Sequence, residues 1–494
     1  MGEQKVLKNY VNGAWKESES GRYLDVENPS TGATIAKVPL STPAEIDSIA
    51  KTARKAFESW SRTPVTQRIE PLYRLRSLVI ENEERISRTL TEEMGKSLPD
   101  ARAEMKRVYQ NIEAACGAPI LQNGEKMIGT ARAIDGEVLR LPMGVFAGIT
   151  PFNFPAMAPF WFIPYALATG NSFISKPSET VPLTMELLAC YIDEAGFPPG
   201  VFNLLHGDKE AAIALIEHPD VTGISFVGKT DTCRLVAESC ARHNKRYQAM
   251  GSAKNHLVVM PDYERIDELI RNMSTSCYGC AGQRCMASSV IVGVGDEMYH
   301  RVVDRFLEDS KNFVVANPLD PKVADVPMLM GPVINRASLD FIHKTIEAGV
   351  SEGATLALDG RGVKIEGSKD GYYIGPTVFT DVKPGMTIHN TEIFAPVVCI
   401  MKAESLDEAI SFIDGHRFSN ACSIYTRSGY WARKFKLEAN CGMIGVNVGI
   451  PAPVPFLPFG GIDNSMFGDI KMQSTSAFRF YTAEKVVVER YWPE

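Results

Sequence analysis

The segment Gly279-Cys280-Ala281-Gly282-Gln283-Arg284-Cys285-Met286-Ala287 holds the residue types from which covalent chemistry is built. A thiol among small residues can be approached closely, and an adjoining guanidinium or a helix N-terminus favours its anionic form. Arg284 adjoins Cys285, which makes Cys285 the candidate nucleophile. Cys277 and Cys280 read instead as small buried hydrophobes. The three thiols spell C-x2-C-x4-C, but no fourth ligand lies nearby and the spacing differs from common zinc and iron–sulfur patterns, so no metal site is expected.

Other places hold residue types a site would use. Asn153 stands between Pro151 and Pro155, where an amide alone would be read as a loop cap. Lys176 and Glu179 follow a predicted strand, and ligands gather at the carboxyl ends of strands in a doubly wound sheet; without that context they are solvated charges at a helix entry. No G-x-G-x-x-G fingerprint follows a strand, because Gly293-Val294-Gly295 lacks the third glycine.

The elements that must position these residues are legible in outline. Asn12-Gly13 within Tyr10 to Trp15 predicts a hairpin. From Thr42 to about Ala115 apolar residues recur at helical spacing (Ile46, Ile49, Ala53, Phe57, then Leu72, Leu75, Leu78, Ile80), which predicts a helical layer. Runs at Val145 to Ile149, Ser172 to Ser175 and Ile224 to Val227 alternate with helical stretches and predict a parallel, doubly wound sheet. Leu257 to Met260 and Val290 to Val292 begin a second α/β unit. The tail from Phe478 to Arg490 alternates in strand fashion and is expected to serve as an edge that could pair with another chain.

Composition narrows the function classes. At 494 residues the chain exceeds the size of one core, so two or three domains are expected. A net charge of -7 with signs interspersed argues against nucleic acid as a partner. The apolar run from Val145 to Ala168 is broken by Pro151, Pro155, Pro159 and Pro164, so no membrane span is expected. The opening MGEQKVLKNYVNGAWKE lacks the layout of a secretory signal, and 10 scattered cysteines suit a reducing, cytoplasmic setting.

The cysteine segment resembles the active-site motif of the aldehyde dehydrogenase superfamily, and other segments resemble its motifs in the same order. Thr150-Pro151-Phe152-Asn153-Phe154-Pro155 resembles the oxyanion loop, Ser175-Lys176-Pro177-Ser178-Glu179 the adenosine-ribose motif, and Phe226-Val227-Gly228 the pyrophosphate turn. Glu392-Ile393-Phe394-Ala395-Pro396-Val397 resembles the nicotinamide-ribose motif and Pro458-Phe459-Gly460-Gly461 the late loop. The resemblance implies an α/β fold with a Rossmann-type cofactor domain (1–117 and 140–250), an α/β catalytic domain (251–455), a small β oligomerisation element (118–139 and 471–494) and a return segment (456–470). It implies a homo-oligomer, a dimer or tetramer, that uses NAD. Cys285 would form a thioester, and Asn153 with the Cys285 N–H would hold the oxyanion. Thr150, Phe152, Lys176, Ser178, Glu179, Gly228, Lys229, Met250, Glu392 and Phe394 would meet the cofactor. Lys229 departs from the small hydroxyl residue common at its position.

Gln248 to His256 (QAMGSAKNH) and Gly445 to Pro453 (GVNVGIPAP) resemble the methylmalonate-semialdehyde dehydrogenase branch. Hydrolytic members of the superfamily carry Glu where Met250 stands, whereas this branch passes the acyl group to coenzyme A and loses the substrate carboxylate as carbon dioxide. Arg107 and Arg284 suit an acidic aldehyde, because a guanidinium fork holds a carboxylate in bidentate fashion. The alternatives are hydrolysis of the thioester of another short acidic aldehyde, sulfonated or succinate-type, and a binding or structural protein that keeps the fold.

Overall fold

The computed structural model describes residues 5–323, 326–452 and 454–492; Pro453, the last residue of the second branch-like segment, lies outside them. Asn12 and Gly13 take φ angles of 54° and 76° and close the hairpin of Asn9–Val11 with Ala14–Lys16. This is the primed turn that matches strand twist. The hairpin edges an eight-stranded sheet that continues through Phe202–Leu204, Ser172–Lys176, Val145–Ile149, Val221–Val227, Arg246–Met250 and Met466–Phe467. The five strands from Phe202–Leu204 to Arg246–Met250 are parallel.

A second sheet of seven strands is centred on Val290–Val294 and His256–Val259, whose side chains are buried throughout. Only its edge strand Thr355–Leu358 runs antiparallel. A third, three-stranded antiparallel sheet joins Thr482–Arg490, Ile134–Pro142 and Glu125–Ala131.

The expected helical layer comprises Pro43–Trp60, Glu70–Glu81, Glu83–Met94 and Leu98–Cys116. Thr42 opens it with a reciprocal capping box to Glu45. Ile80 faces outward, because Val79 completes the inward row after Leu72 and Leu75. Gly95, at φ 86°, ends one helix in the left-handed region, and Ser97 caps the next by accepting from the Asp100 N–H at 3.2 Å. The link between these helices is therefore short and carries Lys96 inward.

The tail differs from its alternating pattern. Ser474–Phe480 is helical, so the strand begins only at Thr482, and it pairs within its own chain from Thr482 opposite Pro142 to Arg490 opposite Ile134. Ser474, Ala477, Phe478 and Tyr481 are buried at helical spacing, and Phe480 on the other side of the turn is buried as well, which leaves Phe478, Phe480 and Thr482 with the apolar alternation of a strand. Among the described residues no helix is long and apolar enough to cross a membrane.

Candidate active site

Four of the five parallel strands of the first sheet end in one of the expected segments, because strands of one direction bring their carboxyl ends to one edge. Thr150 to Asn153 follow Val145–Ile149, Ser178 and Glu179 follow Ser172–Lys176, Gly228 and Lys229 follow Val221–Val227, and Gly251 and Ser252 follow Arg246–Met250. With Glu392, Phe394 and Cys285 they line a cavity of about 650 Å³. A second cavity of about 200 Å³ holds Arg107, Arg284, Met157, Ile450 and Phe459. Cys285, Phe154 and Trp161 line both, so the nucleophile stands where the two cavities meet.

Cys285 is held from the second sheet. The side-chain amides of Asn255 and Asn420 donate to its carbonyl at 2.8 and 2.9 Å, and Asn255 also reaches the Ala287 carbonyl at 3.0 Å. The preceding turn places Cys280 and Ala281 at φ 53° and 52°, an unfavourable region held by its surroundings.

The thiol environment corrects the sequence expectation. Cys285 is not at a helix N-terminus: a short 3-10 turn, Gly279–Gly282, ends before it. Arg284 turns away, with its Nη2 2.5 Å from Asp100 Oδ1 and its Nε donating to Cys280 Sγ at 3.3 Å. Burial, and then the Glu392 carboxylate, push the Cys285 thiol up to about 12, against a smaller opposing pull from its own and the Met286 N–H and from Arg284. The resting group is a thiol. The three cysteines also do not converge, since Cys277 donates to the Ser288 carbonyl at 2.8 Å while Cys280 accepts from Arg284.

Asn153 is buried, and its Nδ2 donates to the Gln283 carbonyl at 3.0 Å. Gln283 in turn accepts from the Ile334 N–H through Oε1 at 2.9 Å. The oxyanion candidate and the nucleophile loop are thus one hydrogen-bonded unit.

The larger cavity suits a dinucleotide. The Thr150 hydroxyl is buried without a partner, which fits a donor or acceptor supplied by a ligand. Lys176 is buried 3.4 Å from Glu179 and 3.1 Å from the Pro177 carbonyl; burial lowers its pKa, and Glu179 opposes this. Lys229 is exposed at the N-cap of the Thr230–Arg242 helix, where free N–H groups and a cation favour phosphate. Glu392 accepts from the Ala253 N–H at 2.8 Å, and burial raises its pKa. Phe394, at φ 59°, meets Phe152 edge-on at 5.8 Å. Ser178 and Gly228 complete the lining. Met250 is the exception: it is buried in the hydrophobic cluster against which Cys285 packs and lines neither cavity.

Arg107 and Arg284 both reach the smaller cavity, but differently. Arg284 arrives paired with Asp100, whereas Arg107 donates to the neutral Gln110 Oε1 at 2.8 Å. Lys96, Asp100, Glu104, Trp161 and Gln283 were not singled out from the sequence. Asp100 lies 184 positions from the arginine it pairs with, and no local spacing signals such a contact.

The aldehyde dehydrogenase family model matches residues 15–487 of this chain. The chain is 43% identical to malonate-semialdehyde dehydrogenase 3 of Geobacillus kaustophilus over 491 residues, 99% of this chain and 100% of that one. It is also similar to the solved methylmalonate-semialdehyde dehydrogenase of Oceanimonas doudoroffii, with a TM-score of 0.96, 36% identity and 99% coverage of each chain. A Sinorhizobium meliloti chain solved with NAD, itself assigned only provisionally as a methylmalonate-semialdehyde dehydrogenase, gives a TM-score of 0.97 and 37% identity, with 100% of this chain and 99% of that one covered.

Proposed function

The chain belongs to the aldehyde dehydrogenase family, and from that premise we propose that it oxidises malonate semialdehyde or methylmalonate semialdehyde with NAD and passes the acyl group to coenzyme A. Carbon dioxide is lost, and acetyl-CoA or propionyl-CoA is formed. The observation that carries this reading is the position of Cys285 between a large cavity with dinucleotide-binding features and a small one bearing Arg107.

Glu179, Lys176 and Thr150 would hold the adenosine end of the cofactor, Lys229 the phosphates, and Glu392 with Phe394 the nicotinamide end. When bound, the nicotinamide supplies a hydride acceptor. Cys285 Sγ attacks the aldehyde carbon, and since burial keeps the thiol protonated beforehand its proton passes during attack to the Glu392 carboxylate in the same cavity, directly or through water. The charge that develops on oxygen is received by the Asn153 amide and the Cys285 N–H, at about 3 kcal/mol per donor. Arg107 holds the substrate carboxylate. Loss of hydride from carbon leaves a thioester on Cys285.

Release of the acyl group distinguishes the readings. The carboxylates lining the small cavity are Asp100 and Glu104; Asp100 is paired with Arg284 and Glu104 with Lys96. Met250 supplies no base. A thiol attacks a thioester with less help from a base than water needs, which favours coenzyme A. Glu392, whose charge is felt at Cys285, is the one group that supports the hydrolytic alternative. Mass-spectrometric detection of acetyl-CoA from malonate semialdehyde, NAD and coenzyme A tests the choice; malonate as product would support hydrolysis.

The same reading takes a second copy to cover the three-stranded sheet, whose Ile128, Val486 and Val488 are 79%, 69% and 69% exposed. A cytoplasmic dimer or tetramer follows from it.

A further inference from the structure

We infer that Lys96 and Glu104 are positioning residues that set the Asn153 amide against the nucleophile loop. The inference rests on Asn153 as oxyanion donor.

The two side chains form an ion pair at 2.5 Å, and both are 0% exposed. Each also binds the main chain around Asn153. Lys96 Nζ donates to the Asn153 carbonyl at 2.7 Å and lies 4.1 Å from the centre of the Phe154 ring. Glu104 Oε1 accepts from the Ala156 and Met157 N–H groups, both at 2.9 Å. The loop that presents the oxyanion amide is therefore held on both sides of Asn153.

The same helix holds the other half of the site. One turn before Glu104, Asp100 accepts from the Cys280 N–H at 3.1 Å and pairs with Arg284 at 2.5 Å. The start of the Leu98–Cys116 helix thus brackets the oxyanion loop and the nucleophile loop together, and Asn153 closes the bracket on Gln283. Stability alone does not call for such a pair, since apolar residues of similar volume often serve as well. Apolar side chains here would leave the Asn153 carbonyl and the Ala156 and Met157 N–H groups without partners. What the charges supply is a fixed path for the loop, and a displacement of about 1 Å at a reacting centre can cost roughly a hundredfold in rate.

The test is a double-mutant cycle on the full-length enzyme, read as the single-turnover rate of NADH formation with malonate semialdehyde. The charge-neutral pair Lys96→Met with Glu104→Gln is compared in the native background and in the Asn153→Ala background. Acting through Asn153, it should lower the rate roughly tenfold to a hundredfold in the first and less than about twofold in the second. A similar factor in both backgrounds would assign the pair to general structure and overturn the inference, as would no loss in either. If Asn153→Ala alone leaves the rate intact, the oxyanion reading fails and takes the inference with it. Should the neutral pair not fold, as judged by circular dichroism and NAD affinity, Lys96→Arg replaces it. Arg keeps the charge but moves the donors, so the rate should fall in the native background and not in the Asn153→Ala one.

Discussion

The side-chain amide of Asn153 donates to the Gln283 carbonyl at 3.0 Å, two residues before Cys285. The amide proposed as oxyanion donor is therefore fixed against the nucleophile loop. We expect Asn153→Ala to lower kcat by about 10²- to 10³-fold, with the Kd for NAD little changed. Stopped-flow NADH fluorescence and cofactor titration measure the two. A loss of less than a few-fold would remove Asn153 from the chemistry.

Cys285→Ala should abolish NADH formation, because among the described residues no other nucleophile stands at the meeting of the cavities. The resting thiol itself can be probed by alkylation. Burial and Glu392 hold it up to about 12, so the iodoacetamide rate should keep climbing with pH through the alkaline range. Glu392→Gln removes the like charge and should speed alkylation severalfold at fixed mild pH. A plateau near neutrality would show a standing thiolate instead.

Arg107 is the cavity arginine without a carboxylate partner in its contacts. Arg107→Leu should reduce kcat/KM for malonate semialdehyde about 10²-fold while changing propanal turnover only modestly. Equal losses on both aldehydes would contradict a carboxylate clamp.

Much of the fold could be read from the chain because its signals are local. The Asn-Gly hairpin, the buried runs Val145 to Ile149 and Val290 to Val292, and the helical rows of Ile46, Ile49 and Ala53 each follow from neighbours in sequence. The candidate site came through resemblance: of the ten residues expected to meet the cofactor together with Asn153, ten of these eleven line the large cavity, and the eleventh, Met250, lies in the apolar packing beside it. What escaped depends on distant partners. Arg284 beside Cys285 reads as a group that ionises the thiol until Asp100 is seen to hold it. Lys96 and Glu104 carry no local signal in the sequence, yet they are buried against the loop that presents Asn153. The tail reads as a strand from Phe478 because that short helix is buried on both sides, so Phe478 and Phe480 imitate alternation before the strand begins at Thr482.

Three buried histidines give a stability prediction. His256 Nε2 lies 3.1 Å from His389 Nε2, an arrangement that requires one nitrogen to accept, and His416 Nε2 reaches the His389 carbonyl at 3.2 Å. Burial lowers His416 to about 4, with its neighbour His389 adding to the effect. A folded pKa below the unfolded one means stability present above about pH 6.5 and lost as pH falls toward about 4. The stability advantage of the native enzyme over His416→Gln should thus shrink by about 2 kcal/mol between roughly pH 7 and pH 5. Urea unfolding at the two pH values measures it; an unchanged difference would mean that His416 is not held neutral.

The fate of the acyl group on Cys285 is the central claim, and a pre-steady-state trace of NADH with malonate semialdehyde tests it most directly. Without coenzyme A we expect a burst near one equivalent per active site and then a slow steady rate, since Met250 offers no base and Asp100 and Glu104 are paired. Added coenzyme A should raise the steady rate strongly and yield acetyl-CoA with carbon dioxide. A steady rate already fast without it, and free acid as the product in its presence, would contradict acyl transfer and establish hydrolysis.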